Sequence, residues 1–205
     1  MKQQILNHRR AIGILGALLP FLCLIIGSIR NNDYSEWYKT MSATYYTNAS
    51  DIFVGVLFAT GIFLICYEGY DWRDKIVNRI CGISALGIAI FPNGATDLLF
   101  VGTFQMCVKS SLILHCIFAG IFFATLAINI LWLFTKSNSK QTKNKRIRNI
   151  IYNVCGYGIF FFLLMLGVYV IYPFWEHLGY FSETMMLLLF ATAWLIKGET
   201  IYKDF

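Results

Sequence analysis

Long apolar segments separated by short polar ones dominate the hydrophobic pattern of this 205-residue chain. A helix needs about 20 apolar residues to cross about 30 Å of hydrocarbon, and six segments approach that length. Backbone groups in lipid must bond within their own segment, and these runs do not alternate as barrel strands do, so each segment is predicted to be a helix. The predicted spans are 11–29, 52–67, 80–96, 110–135, 150–175 and 178–196.

Composition supports a lipid environment for most of the surface. Apolar residues make up 58% of the chain, charged residues only 14%, and the mean hydropathy is +0.60. A soluble domain carries about 25% charged residues. No long polar linker divides the chain, so residues 1–205 are predicted to form a single transmembrane domain. The predicted fold is all-α, a polytopic integral membrane protein with a six-helix bundle.

Lysine and arginine predict the orientation of this bundle. With the N-terminus in the cytoplasm, 14 of the 17 basic residues lie inside and 3 lie outside, as the positive-inside rule requires. Both termini are therefore predicted in the cytoplasm, with the chain in a bacterial inner membrane. The predicted basic cytoplasmic loop, 136–149, either serves this rule alone or binds anionic lipid headgroups. The net charge of +6 is thus a topology signal, and nucleic acid is not an expected partner.

Polar residues near the predicted spans are the candidates for a site, because ionisable groups are costly at membrane depth. His115 in the fourth span is the best of them, either functional or bonded to a neighbouring helix. Asp51 either caps the second span or acts as a ligand or proton acceptor at its outer mouth. We predict that Asp51, Asp97 and His115 face one outer cavity. The other pocket candidates are Ser42, Tyr46, Asn93, Glu176, His177 and Glu183.

The break in the third apolar run, at residues 91–97, has two interpretations. An interrupted hydrophobic segment can line a substrate cavity with unwound backbone. It can also be a helix end followed by an interfacial segment, here residues 97–108. The sequence leaves both open.

Zinc is the cofactor to consider, since histidine and carboxylate ligands suit it. Of the residues near the outer face, His115, His177 and Asp97 are the candidate ligands. Their spacing matches no metal motif, because no H-E-x-x-H occurs. There is also no G-x-S-x-G nucleophile motif and no phosphate-binding glycine loop. These motifs assign no catalytic residue. No cofactor is predicted, and zinc remains the candidate if one is bound.

Several segments together carry a resemblance that covers most of the chain. They are Ser42-Ala43-Thr44-Tyr45-Tyr46-Thr47, Asp51-Ile52-Phe53-Val54-Gly55, Tyr67-Glu68-Gly69-Tyr70-Asp71, Ala85-Leu86-Gly87-Ile88-Ala89-Ile90-Phe91-Pro92, the region of His115, and Trp194-Leu195-Ile196-Lys197-Gly198-Glu199. As a set they resemble a family of uncharacterised bacterial six-helix inner-membrane proteins. The family has no settled activity, so the resemblance implies topology rather than function.

A remoter resemblance is to membrane hydrolases of the alkaline ceramidase and adiponectin-receptor type. Those enzymes bind zinc through three histidines helped by a serine and an aspartate. The matching positions are Ser42, Asp51 or Asp97, His115 and His177. This chain departs from the pattern by having six predicted spans rather than seven, one histidine too few and no paired C-terminal histidines.

Two classes of function follow. One is a lipid-binding or small-solute transport module with a polar pocket near the outer leaflet. The other is a membrane-embedded lipid hydrolase or lipid-modifying enzyme, with or without a metal. The first is favoured at this stage, because no complete catalytic constellation is visible in the sequence. Membrane lipids are the expected partners, and a transporter of this size would need to form a homo-oligomer.

Overall fold

The computed structural model describes residues 2–29, 39–69, 71–94, 97–136 and 142–201. Within them the fold is helical apart from one short hairpin, whose strands are antiparallel. The elements are α1 Lys2–Ser28, a 3-10 helix Met41–Tyr46, α2 Ser50–Ile65, α3 Trp72–Ile90, β1 Phe100–Val101, β2 Met106–Cys107, α4 Val108–Ile128, a π-helical turn Asn129–Leu133, α5 Lys143–Ile171 and α6 Leu178–Lys197.

The six long helices form a closed ring in chain order. Each packs against the next, and α6 returns to pack against α1. Neighbours run antiparallel, so the bundle has two distinct ends. At one end, here called the site end, lie the last turns of α1, α3 and α5 and the first turns of α2, α4 and α6. The other termini of these helices lie at the opposite end, here called the basic end.

Among the residues that the structure describes, four segments are long and apolar enough to cross a membrane, judged by length and composition. They are Gln3–Ser28, Val108–Leu133, Lys143–Ile171 and Leu178–Lys197, and α2 is a shorter apolar helix. The all-α prediction is confirmed. The helices expected at all six predicted spans are present, whereas the crossing number and the orientation stay predictions.

Helix α3 is offset from the third predicted span, because hydropathy does not register the polar turns at its start. The third predicted span, 80–96, corresponds to a helix that runs from Trp72 to Ile90. The Asp71 carboxylate caps it by accepting the Arg73 and Asp74 amides at 2.9 and 3.0 Å. Past its end lies Pro92, which cannot continue a helix.

The basic segment 136–149 is also not one continuous loop. Residues from Lys143 onward are already α5, which Thr142 caps by accepting the Lys145 amide at 3.2 Å. Residues 137–141 lie outside the described part. The segment 97–108, for which the sequence offers an interfacial course, contains the hairpin of β1 and β2.

Cationic side chains close the basic end of the ring. Arg9 of α1 is buried and donates from Nε to the Tyr67 hydroxyl at 3.0 Å. The Lys136 ammonium lies 2.8 Å from the Asp71 carboxylate, and this hydrogen bond lowers the pKa of Asp71. These contacts join α1, the connection between α2 and α3, and the segment after α4, so basic side chains hold helix ends together at this end of the ring.

Glycines allow two helix pairs of the ring to approach closely. A Cβ at Gly82 of α3 would lie 2.5 Å from the Gly61 carbonyl oxygen of α2, a backbone atom that cannot move aside cheaply. At Gly16 of α1, a Cβ would lie 2.6 Å from the Phe190 ring of α6. Small residues at helix interfaces serve this purpose in membranes.

Gly82→Ala is therefore expected to lower the free energy of unfolding by about 1–3 kcal/mol, the usual cost of overpacking. The matched control is Gly55→Ala in α2, where a Cβ would meet nothing within 4 Å. Thermal unfolding of the two variants in the same detergent measures the difference. Equal stability of both would contradict the close α2–α3 contact.

Candidate functional site

The unwound end of α3 supplies three consecutive carbonyl groups to the site end of the bundle. The Phe91 carbonyl accepts from His115 Nδ1 at 2.7 Å, and the Pro92 carbonyl accepts from Ser111 Oγ at 2.7 Å. The Asn93 carbonyl accepts from the Tyr46 hydroxyl at 2.6 Å. Carbonyls freed at a helix end need such partners when buried. The break in the third apolar run thus positions side chains from α4 and the 3-10 helix.

His115 and Ser42 form the central contact. A carbonyl oxygen can only accept, so the bond to Phe91 requires that His115 Nδ1 carries a hydrogen. In the neutral ring Nε2 is then an acceptor, and it lies 2.9 Å from Ser42 Oγ. Ser42 is 6% exposed and His115 is 4% exposed. The result is a buried hydroxyl donating to a ring nitrogen whose tautomer is set by the backbone.

Glu183 of α6 is the second side chain that contacts Ser42. Its Oε2 accepts the Met41 amide hydrogen, and its Oε1 lies 3.4 Å from Ser42 Oγ. No lysine or arginine among the described residues forms an ion pair with it. The carboxyl therefore depends on hydrogen bonds, and the Ser42 hydroxyl is the side-chain group that joins it to His115.

The Ser42 hydroxyl has one proton and two neighbours that can accept it. When it donates to His115 Nε2, only its lone pairs remain for Glu183 Oε1, and that contact is attractive only if Glu183 is protonated. When it donates to Glu183 instead, His115 Nε2 needs a proton of its own. Ser42 therefore donates to one of these two neighbours at a time, and its hydroxyl connects Glu183 to His115.

A short 3-10 helix holds Ser42 in place. Thr40 caps it by accepting the Ala43 amide at 3.2 Å, and Thr44 Oγ1 donates to the Met41 carbonyl at 2.6 Å. Asn93 Nδ2 donates to Thr40 Oγ1 at 3.0 Å, which ties the cap to the unwound end of α3. Burial raises the pKa of Tyr46 to about 12, so its hydroxyl stays a donor at neutral pH. The helix packs among α1, α2 and α6.

The other candidates lie apart from this cluster. Asp51 is exposed in the first turn of α2, and Asp97 is exposed before β1. Glu176 forms a surface ion pair with Lys39 at 3.3 Å, and His177 is exposed at the start of α6. Asp51 and Asp97 stand at exposed positions, whereas His115 is buried and the acid beside Ser42 is Glu183. That Asp51, Asp97 and His115 share one cavity stays a prediction.

The zinc hypothesis required His115, His177 and Asp97 to converge. In the described part of the chain, no three His, Cys, Asp or Glu side chains are arranged to hold a metal ion. Both ring nitrogens of His115 are engaged, one by Phe91 and the other by Ser42. The residues present do not fit a zinc centre of the kind considered from the sequence.

Two residues of the site were missed by sequence reasoning. Ser111 lies four residues before His115, so both are on one face of α4, and this spacing was a usable signal. Thr40 contributes through a capping bond that depends on where Asn93 arrives. No local pattern marks that contact.

No protein-family model, curated protein or solved structure matches this chain. The resemblance of its segments to six-helix bacterial membrane proteins and to ceramidase-type hydrolases therefore stays a prediction. Any function must be argued from the site itself.

Proposed function

We propose that this chain crosses a bacterial inner membrane six times, with both termini in the cytoplasm. Four helices with the length and composition of membrane spans support the proposal, as does the ring that α2 and α3 form with them. The distribution of lysine and arginine supports the orientation. On this proposal the basic end faces the cytoplasm and the site end faces outward.

Two native cysteines allow this topology to be tested without introducing new cysteines. Cys66, after α2 at the basic end, and Cys107, in β2 at the site end, are both exposed. A membrane-impermeant maleimide applied to intact spheroplasts is expected to modify Cys107 and to reach Cys66 only after permeabilisation. Cys66→Ser and Cys107→Ser identify each signal. Labelling in the reverse order would refute the orientation.

We propose further that the protein is a serine-dependent enzyme that cleaves or transfers an ester-linked acyl group at the membrane. The observation that carries this proposal is the 2.9 Å contact between Ser42 Oγ and His115 Nε2, with Nδ1 held by the Phe91 carbonyl. A nucleophile, a base within hydrogen-bond reach and a group that orients the base are the parts of an activated serine. This geometry favours the enzyme over the non-enzymatic module preferred from the sequence.

The chemistry follows from these contacts. His115 Nε2 takes the Ser42 proton as Oγ attacks the ester carbonyl carbon, and a tetrahedral intermediate forms. Its collapse breaks the bond to the alcohol, which leaves with the proton from His115, and an acyl-serine remains. Water or a second alcohol then attacks the acyl-serine by the same route in reverse. Hydrolysis results in the first case and acyl transfer in the second.

A fluorophosphonate probe tests Ser42 directly, since it forms a stable adduct only with activated serines. Mass spectrometry of the purified protein is expected to find the adduct on Ser42 and none in Ser42→Ala. The matched control is Ser84→Ala, which removes another buried serine, one that donates to the Ile80 carbonyl at 2.8 Å. Failure to label Ser42 in the folded wild-type protein would contradict the proposed activity.

The second candidate function is proton-coupled transport of a small solute. It is favoured by the contacts of Ser42, whose hydroxyl lies within hydrogen-bond distance of both Glu183 and His115. These two titratable side chains are on helices long enough to cross a membrane. Such side chains serve as proton relays in transporters. Liposomes that contain the protein and a trapped pH indicator would show proton movement abolished by Glu183→Gln. An internal pH that does not respond when small solutes are added outside would eliminate this candidate.

A further inference from the structure

A small cavity adjoins Ser42 and Glu183 inside the ring. It measures about 30 Å³, and apart from these two residues its walls are apolar side chains of α1, α2, α3, α4 and α6 together with Met41. Phe53 and Leu57 face it from α2, and Phe122 from α4. All three are buried. The cavity therefore has a polar part, at the proposed nucleophile, and an apolar part lined by buried side chains.

The volume of this cavity limits what Ser42 can receive. A site for one water needs about 10–15 Å³ on this measure, so there is room for about two groups of that size. A carbonyl and a methyl group fit this description. A fatty acyl chain does not fit unless the buried side chains of several helices move apart.

We infer that the cavity is an acyl pocket and that the group carried by Ser42 is a short one, of acetyl to propionyl size. The inference rests on the proposed function and narrows its substrate class to short O-acyl esters. Phe53, Leu57 and Phe122 then act as specificity-determining residues, because a longer chain would have to displace these buried lining side chains. The alcohol part of the ester lies outside the cavity.

A series of 4-nitrophenyl esters tests this assignment with purified protein in detergent. For the wild type, kcat/KM is expected to fall at least tenfold from acetate to octanoate. Leu57→Ala enlarges the cavity, so the preference for the short ester is expected to shrink or reverse. The matched control is Leu126→Ala, an equally drastic truncation of a buried leucine on α4 that is not part of the cavity wall. It should keep the wild-type preference.

Ala119→Phe provides a second variant should Leu57→Ala fail to fold. Ala119 lines the cavity from α4, so the larger ring is expected to fill it and suppress acetate turnover. Equal turnover of acetate and octanoate by the wild type, lost in Ser42→Ala, would overturn the short-acyl assignment alone. Absence of any Ser42-dependent turnover across the series would overturn the proposed function as well.

Discussion

His115→Ala is expected to slow fluorophosphonate labelling of Ser42 by about 10²–10⁴-fold, the range of a lost general base. In the native site, Nε2 accepts the hydroxyl proton at 2.9 Å, and the Phe91 carbonyl holds the ring in the required tautomer. Alanine removes the acceptor, and the hydroxyl is then a weak nucleophile. The rate is measured by mass spectrometry at several times of exposure to the probe.

The control for this experiment is His177→Ala, which removes an exposed histidine at the start of α6. Its labelling rate should equal that of the wild type. His115→Ala also leaves the buried Phe91 carbonyl without its side-chain donor, so rates are compared at a temperature where both variants are folded. Unchanged labelling of Ser42 in folded His115→Ala would show that His115 does not activate the serine.

Glu183→Ala is expected to lower the free energy of unfolding by about 1–3 kcal/mol, the cost of leaving a buried donor unsatisfied. The Met41 amide and the Ser42 hydroxyl both contact this carboxyl group. Alanine provides no acceptor for the Met41 amide, and it leaves a void beside the cavity. Glu183→Gln keeps an acceptor oxygen and nearly the same volume, so its loss should be smaller. Thermal or denaturant unfolding in detergent separates the two variants.

Glu176→Ala is the matched control for this series. Glu176 is exposed and pairs with Lys39 across 3.3 Å at the surface, an interaction of about 0–1 kcal/mol. Its removal should leave stability nearly unchanged. If Glu176→Ala and Glu183→Ala cost the same, Glu183 does not support the segment that carries Ser42.

The helices were predictable wherever apolar residues ran without interruption. Hydropathy identified α4, α5 and α6 because each is a long apolar segment, which favours a membrane-length helix. It misjudged the start of α3, since Asp71 caps a helix whose first turns are polar. For the same reason, part of the predicted loop 136–149 is helical, because α5 begins with polar residues at Lys143.

The members of the site were predictable one by one, but their grouping was not. The sequence marks Ser42, His115 and Glu183 as candidate site residues, because each is a polar residue in or next to an apolar run. Asp51 and Asp97 are marked in the same way, and sequence spacing offered no way to separate them. His115 lies 73 residues from Ser42 along the chain, so their contact depends on how the ring closes.

The sequence by itself determined that this chain is helical, that several helices suit a hydrocarbon environment, and that its basic residues cluster toward alternate connections. These properties follow from side-chain solubility and from the backbone's need for internal hydrogen bonds, which act locally along the chain. Only the tertiary structure decided which acid meets Ser42, which carbonyl orients His115 and how large the adjoining cavity is. Those features depend on how closely the helices pack at glycine contacts and on the bend of the chain after Ile90. Both are set by contacts between segments far apart in the sequence.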